Sequence, residues 1–158
     1  MNRGSTIFLK LSVFLIGIIV LVLSIILLPR LAYEAAVIAP DLAYLEYLVL
    51  IGLYVTAIPF FFALYQALRL LNFIDNNNAF SNLSVKALKY VTYCALTISV
   101  LYVIGGILLF IQNALHPGIA ILGLSITFAS TIIAVFALTL KRLLKNAIDM
   151  KSENDLTV

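Results

Sequence analysis

The chain has 158 residues, 64% hydrophobic and only 11% charged, with a mean hydropathy of +1.16. A soluble domain carries about 25% charged residues, so a water-soluble globule is excluded, and no stretch between the apolar runs is long enough for a second core. The formal charge of +3 does not mark a nucleic-acid binder, because the Lys and Arg residues flank apolar runs instead of gathering in one patch.

Four runs lack Asp, Glu, Lys, Arg and His: Leu11–Leu28, Tyr47–Leu68, Tyr90–Leu115 and Pro117–Leu140. About 18 such residues suffice to cross hydrocarbon as a helix. The fold expected is therefore all-α: four transmembrane helices over 11–28, 47–68, 90–112 and 118–140, in one antiparallel, left-handed bundle covering 1–158. A loop at 69–89 and a tail at 141–158 complete it.

Arg3 and Lys10 precede the first run as they would in a signal peptide. The run is too long for one, and Pro29-Arg30 is not a small-residue cleavage site, so a retained helix is expected. Threading four spans from a cytosolic N-terminus puts Arg3, Lys10, Arg69, Lys86, Lys89, Lys141, Arg142, Lys145 and Lys151 inside and only Arg30 outside. That asymmetry predicts both termini in the cytosol. In 29–46, Leu31, Ala35, Ile38 and Leu42 recur at helical spacing, with Glu34, Asp41 and Glu46 as acids and Tyr33, Tyr44 and Tyr47 suited to headgroup depth. A short interfacial helix, then a turn at Pro40-Asp41, is expected.

The second span contains Pro59, which removes a backbone donor from the helix. It is either ordinary packing bulk or a hinge for the cytosolic half. Asn76-Asn77-Asn78 signals a turn. Ser81 is placed to cap a helix beginning near Asn82, its hydroxyl accepting a backbone N–H. Leu70, Phe73, Ile74 and Phe80 are apolar outside the span; they either clamp the loop or face a partner.

Spans three and four meet in an outer hairpin holding His116, which reads as a polar loop residue and not a metal ligand. Thr92, Ala95, Ser99, Tyr102 and Gly106 recur every three or four residues, as do Gly123, Thr127, Ser130, Ala134 and Ala137. Small stripes of this kind let membrane helices approach closely, so Ala95, Ser99, Gly106, Gly123, Thr127 and Ser130 are the expected packing residues. The hydroxyls of Tyr54 and Tyr102 should seek partners. Cys94, the only cysteine, reads as a small buried hydrophobe.

No span carries an ionisable residue, which disfavours a charge-coupled transporter. A pore formed by oligomerisation would have Thr92, Ser99 and Gln112 for its lining. No nucleophile motif, phosphate loop or metal pair is visible, so no catalytic residue, metal or cofactor is expected and the chain does not read as an enzyme. The polar tail is either a frayed helix end or a docking peptide, with Leu156 and Val158 as apolar anchors and Glu153 and Asp155 as charges.

The loop Leu70-Leu71, Ile74-Asp75, Ala79-Phe80-Ser81 and Ser84-Val85-Lys86-Ala87-Leu88-Lys89, then Tyr93-Cys94-Ala95, and the ending Glu153-Asn154-Asp155-Leu156-Thr157-Val158 resemble the YoaS-like bacterial membrane proteins, a four-span family without established activity. The resemblance covers nearly the whole chain. It implies a cell-membrane location and a neighbouring Cro/C1-type helix-turn-helix regulator as partner. Asp75, Phe80, Ser81, Glu153, Asn154, Asp155 and Leu156 are the residues expected at that partner's surface, with the lipid bilayer and a second copy as other partners and no direct nucleic-acid binding. An envelope-stress or peptide-immunity protein, or a small transporter or pore, is the alternative.

Overall fold

A computed structural model describes residues 2–38, 40–42 and 44–156, without the side chains of Ala35, Leu42, Leu45 and Glu46. The spacing read through Ala35 and Leu42, the charge of Glu46 and the Val158 anchor lie outside these residues. All regular structure among the described residues is helical. Helix α1 (Arg3–Val22) passes through a π-helical turn (Leu23–Leu27) into α2 (Leu28–Ile38). A 3-10 turn (Pro40–Leu42) leads to α3 (Leu45–Asp75), followed by α4 (Asn82–Ile111) and α5 (Pro117–Leu156). Four stretches are long and apolar enough to cross a membrane: Arg3–Ile38, Tyr47–Asp75, Asn82–Ile111 and Pro117–Leu156.

At the end bearing the charged residues, α1, α3, α4 and α5 all extend beyond the apolar runs that predict them. At 1.5 Å per residue, α3 is about 46 Å long, more than the roughly 30 Å of hydrocarbon, so its charged end projects beyond the lipid tails. The expected helix after the first span exists, but it continues that span. Pro29 explains the π-turn between them: it has no N–H for the carbonyl four residues back, and its ring crowds that carbonyl. Widening the turn relieves the clash. One carbonyl of the turn, that of Ser24, accepts a hydrogen bond from the Tyr54 hydroxyl of α3 at 2.7 Å. Tyr102 makes no such bond among the described residues. Pro59, by contrast, sits within an unbroken α3.

Close packing follows chain order: α1 against α3, α3 against α4, and α4 against α5. The Phe62 and Tyr90 rings meet edge to face at 5.8 Å between α3 and α4. The Ser99 hydroxyl lies 3.3 Å from that of Thr131 and 3.5 Å from the Thr127 carbonyl, joining α4 to α5. This antiparallel register sets the first turns of α4 level with Lys141–Lys145. Buried residues of α4 recur as Ser84, Ala87, Leu88, Thr92, Ala95, Ile98 and Ser99, and those of α5 as Ser130, Ala134 and Ala137. Ala95, Ser99 and Ser130 are thus at the contact, and Thr127 is half-buried beside it.

Gly106 and Gly123 require a correction. A methyl added at either would meet nothing within 4 Å. Their small size is not what brings the helices together, because the close contact lies nearer the other end of both helices, where Ala134 and Ala137 supply the small side chains.

Both helix-to-helix turns outside the N-terminal third use one device. Asn77 (φ 56°) and Asn113 (φ 55°) adopt the left-handed conformation that Asn tolerates better than most residues. Asn78 N–H then reaches Phe73 O at 2.7 Å, and Ala114 N–H reaches Leu109 O at 2.9 Å, so carbonyls orphaned by the helix end are satisfied. Ser81 does occupy the cap position of α4, but its hydroxyl donates to Asn78 O at 2.8 Å instead of accepting from the helix. At the far hairpin, His116 Nδ1 accepts the Gly118 N–H at 3.1 Å and caps α5.

Candidate functional site

The end of the bundle bearing the Asn turn concentrates the charge. Lys10, from the first turns of α1, pairs with Asp75 at the last residue of α3, Nζ to Oδ2 at 2.5 Å, each side chain 26% exposed. Thr6 lies fully buried one turn before Lys10. The Lys10 hydrogen bond is the main influence holding the Asp75 carboxyl below its usual value of 3.8; partial desolvation opposes it, while the Lys10 charge, Thr6 and Arg3 reinforce it. The pair staples the start of the chain to the loop.

Around it, three cations each lie over the ring one helical turn further on: Arg69 over Phe73 at 5.5 Å, Lys86 over Tyr90 at 6.0 Å and Lys89 over Tyr93 at 5.8 Å. Such contacts contribute about 0.5–1 kcal/mol where exposed. They also form a collar of cations and aromatic rings, two of them the amphipathic rings of Tyr90 and Tyr93, which suit the boundary between tails and headgroups. Lys10, Arg69, Lys86 and Lys89 therefore do more than flank the spans.

The sequence-derived surface residues separate into two groups. Asp75 is committed to Lys10 and is not a free anion. Phe80 stands 65% exposed at the loop tip beside the half-buried Ser81. Glu153, Asn154, Asp155 and Leu156 are exposed on α5, which stays helical through Leu156 instead of fraying after the span. By its rise, the portion after Leu140 extends about 24 Å, and on it Leu143 and Met150 are more than 60% exposed.

Two further features of the apolar region escape the sequence reading. Gln66 on α3 is 2% exposed, and its Oε1 has no hydrogen-bond partner among the described residues. Its one signal is an amide inside an otherwise apolar span. The second is a lipid-depth groove of about 250 Å³ between α1 and α3, walled by residues such as Val13, Gly17, Leu21, Phe61, Leu64 and Leu68. Among the described residues, no three His, Cys, Asp or Glu side chains gather as metal ligands would. The arrangement offers binding surfaces: a cationic, aromatic collar, an exposed loop tip and a projecting helix.

Comparison with known proteins meets this picture at its distinctive parts. The family described as "Protein of unknown function (DUF2975)" matches residues 30–158, which include the collar, the loop and the whole of α5. The chain belongs to that family. It is also 58% identical, over 160 aligned positions that cover all of both chains, to the uncharacterized membrane protein YoaS of Bacillus subtilis (strain 168). No solved structure matches it. The family is one of unknown function and the relative an uncharacterized membrane protein, which agrees with a membrane protein and with the resemblance borne by the loop and tail.

Proposed function

We propose that this membrane protein is an interaction partner for a small DNA-binding regulator, which it holds at the membrane through the end bearing the Asn turn. The observation that carries this reading is α5: it continues past its apolar run as an unbroken helix and displays Glu153, Asp155 and Leu156 on an exposed, preformed stretch. A preformed helix costs less entropy to bind than a disordered tail. Its acids suit the basic face with which a helix-turn-helix protein meets phosphates, and Phe80 adds an apolar contact at the loop tip. Asp75 holds the platform together and does not touch the partner. The division of basic residues supports a cytosolic location for this end and for both termini, and a hinge at Pro59 would let the bundle alter the face it presents.

Crosslinked co-purification from membranes tests the reading. A helix-turn-helix regulator should accompany the full chain and be lost when residues 146–158 are removed. Equal recovery with the shortened chain would eliminate the tail as the contact. An Asn77→Cys variant labelled on intact cells by an impermeant thiol reagent would overturn the orientation.

A further inference from the structure

We propose that the groove between α1 and α3 is a binding site for one anionic phospholipid, with an acyl chain between the helices and the phosphate beside Arg69. The groove begins at Leu68, directly before the first charged residue after the second span, and runs back to Phe61. The seven helical steps from Phe61 to Leu68 make about 11 Å, close to the depth of one leaflet in a hydrocarbon core of about 30 Å. Its walls are apolar, as an acyl chain requires. Gly17 lies at its floor, where an added methyl would come 3.5 Å from Leu64 Cδ1. A bulkier side chain there would occupy the space that the chain needs.

The mouth supplies the charge. Tyr65 lines the groove and is 56% exposed. Arg69 follows it by one turn and rests over Phe73. Among the described residues no carboxylate lies within ion-pair distance of Arg69; Asp75, the acid at this end of α3, is taken by Lys10. Arg3, Lys10 and Arg69 against Asp75 leave a net charge of +2 at the end of α1 and α3. The Lys10–Asp75 pair also ties the two helices together beyond the groove, keeping its walls at a fixed separation. A single leaflet-deep slot with a cationic mouth fits a lipid of the same leaflet better than a second helix, which would need a face running the full span.

The chain has no tryptophan, so Phe61→Trp places a single fluorophore in the groove of the full-length protein. Reconstituted vesicles of phosphatidylcholine are doped with phosphatidylglycerol or phosphatidylcholine carrying brominated acyl chains. Brominated phosphatidylglycerol should quench about fivefold more efficiently at equal mole fraction, the preference that one interfacial arginine confers. Arg69→Gln should equalise the two lipids without altering the emission maximum. Phe128→Trp, on the exposed face of α5, should be quenched equally by both. Equal quenching at Phe61→Trp overturns the proposal. So does quenching by neither lipid, the result expected if a second copy covers the groove.

Discussion

The two ends of the bundle are built differently although both are apolar. Toward the Asn turn, Ser84, Ala87, Thr92, Ala95, Ser99, Ala134 and Ala137 are buried against neighbouring helices. Toward the His116 hairpin, Gly105, Gly106 and Gly123 have open space where side chains would be, and the cross-connections there among the described residues are hydrogen bonds from Tyr44 to Gln112 and from Tyr54 to the Ser24 carbonyl, each 2.7 Å. The lesson is that small residues have two meanings in a membrane helix. Where backbones touch, they allow the contact; where they do not, they are only small. Helix-helix association in lipid rests on van der Waals fit instead of aversion to water, so stability should reside mainly in the first region.

The largest effect that would break this contrast is overpacking. Ala134→Leu, at a site 2% exposed, should destabilise by about 1–3 kcal/mol, read as detergent-resistant unfolding; an unchanged midpoint would mean the two regions are equally loose. Gln66→Met should move in the opposite direction. It removes a buried amide oxygen without a partner and retains the volume, for a gain of about 1 kcal/mol. A loss would show that the amide is satisfied in the membrane. Gly123→Ala should be neutral to stabilising, by at most about 1 kcal/mol from the helix backbone alone, and a loss there would show that the hairpin end closes in lipid.

The smallest effect concerns the ion pair. The Asp75 carboxyl is held below 3.8, so its contribution is complete above that pH and disappears as pH falls through the lowered value. The difference in melting temperature between the wild type and Asp75→Asn should be constant from pH 7 to 5 and vanish only below 3.8. A difference that faded near neutrality would mean that Lys10 is not the partner.

Much of this fold is readable from the chain because lipid imposes a simple code. Uninterrupted apolar runs give the spans, Asn76–Asn78 gives the turn, and Ser81 marks the start of α4. The same code is silent where partners are distant in sequence. Lys10 and Asp75 are 65 residues apart, and each alone reads as a flanking charge. The π-turn depends on Pro29 acting inside a helix whose apolar run ends at Leu28. Gly106 and Gly123 satisfy the small-residue spacing, but spacing specifies a face and not how near the next helix comes. The proposed partner surface is legible only in part, since Asp75 looks identical to Asp155 until its lysine is seen.

The unbroken course of α5 has a mechanical corollary. A rod anchored in lipid and protruding about 24 Å beyond it acts as a lever whose fulcrum is the headgroup boundary. Helix tilt responds to bilayer thickness, and a swing of about 10° lies well within the range open to a span. Over that arm it would sweep the tip near Leu156 through about 4 Å, enough to separate one bound side chain from its pocket. Bilayer thickness would then be transmitted to the aqueous phase with no ligand required.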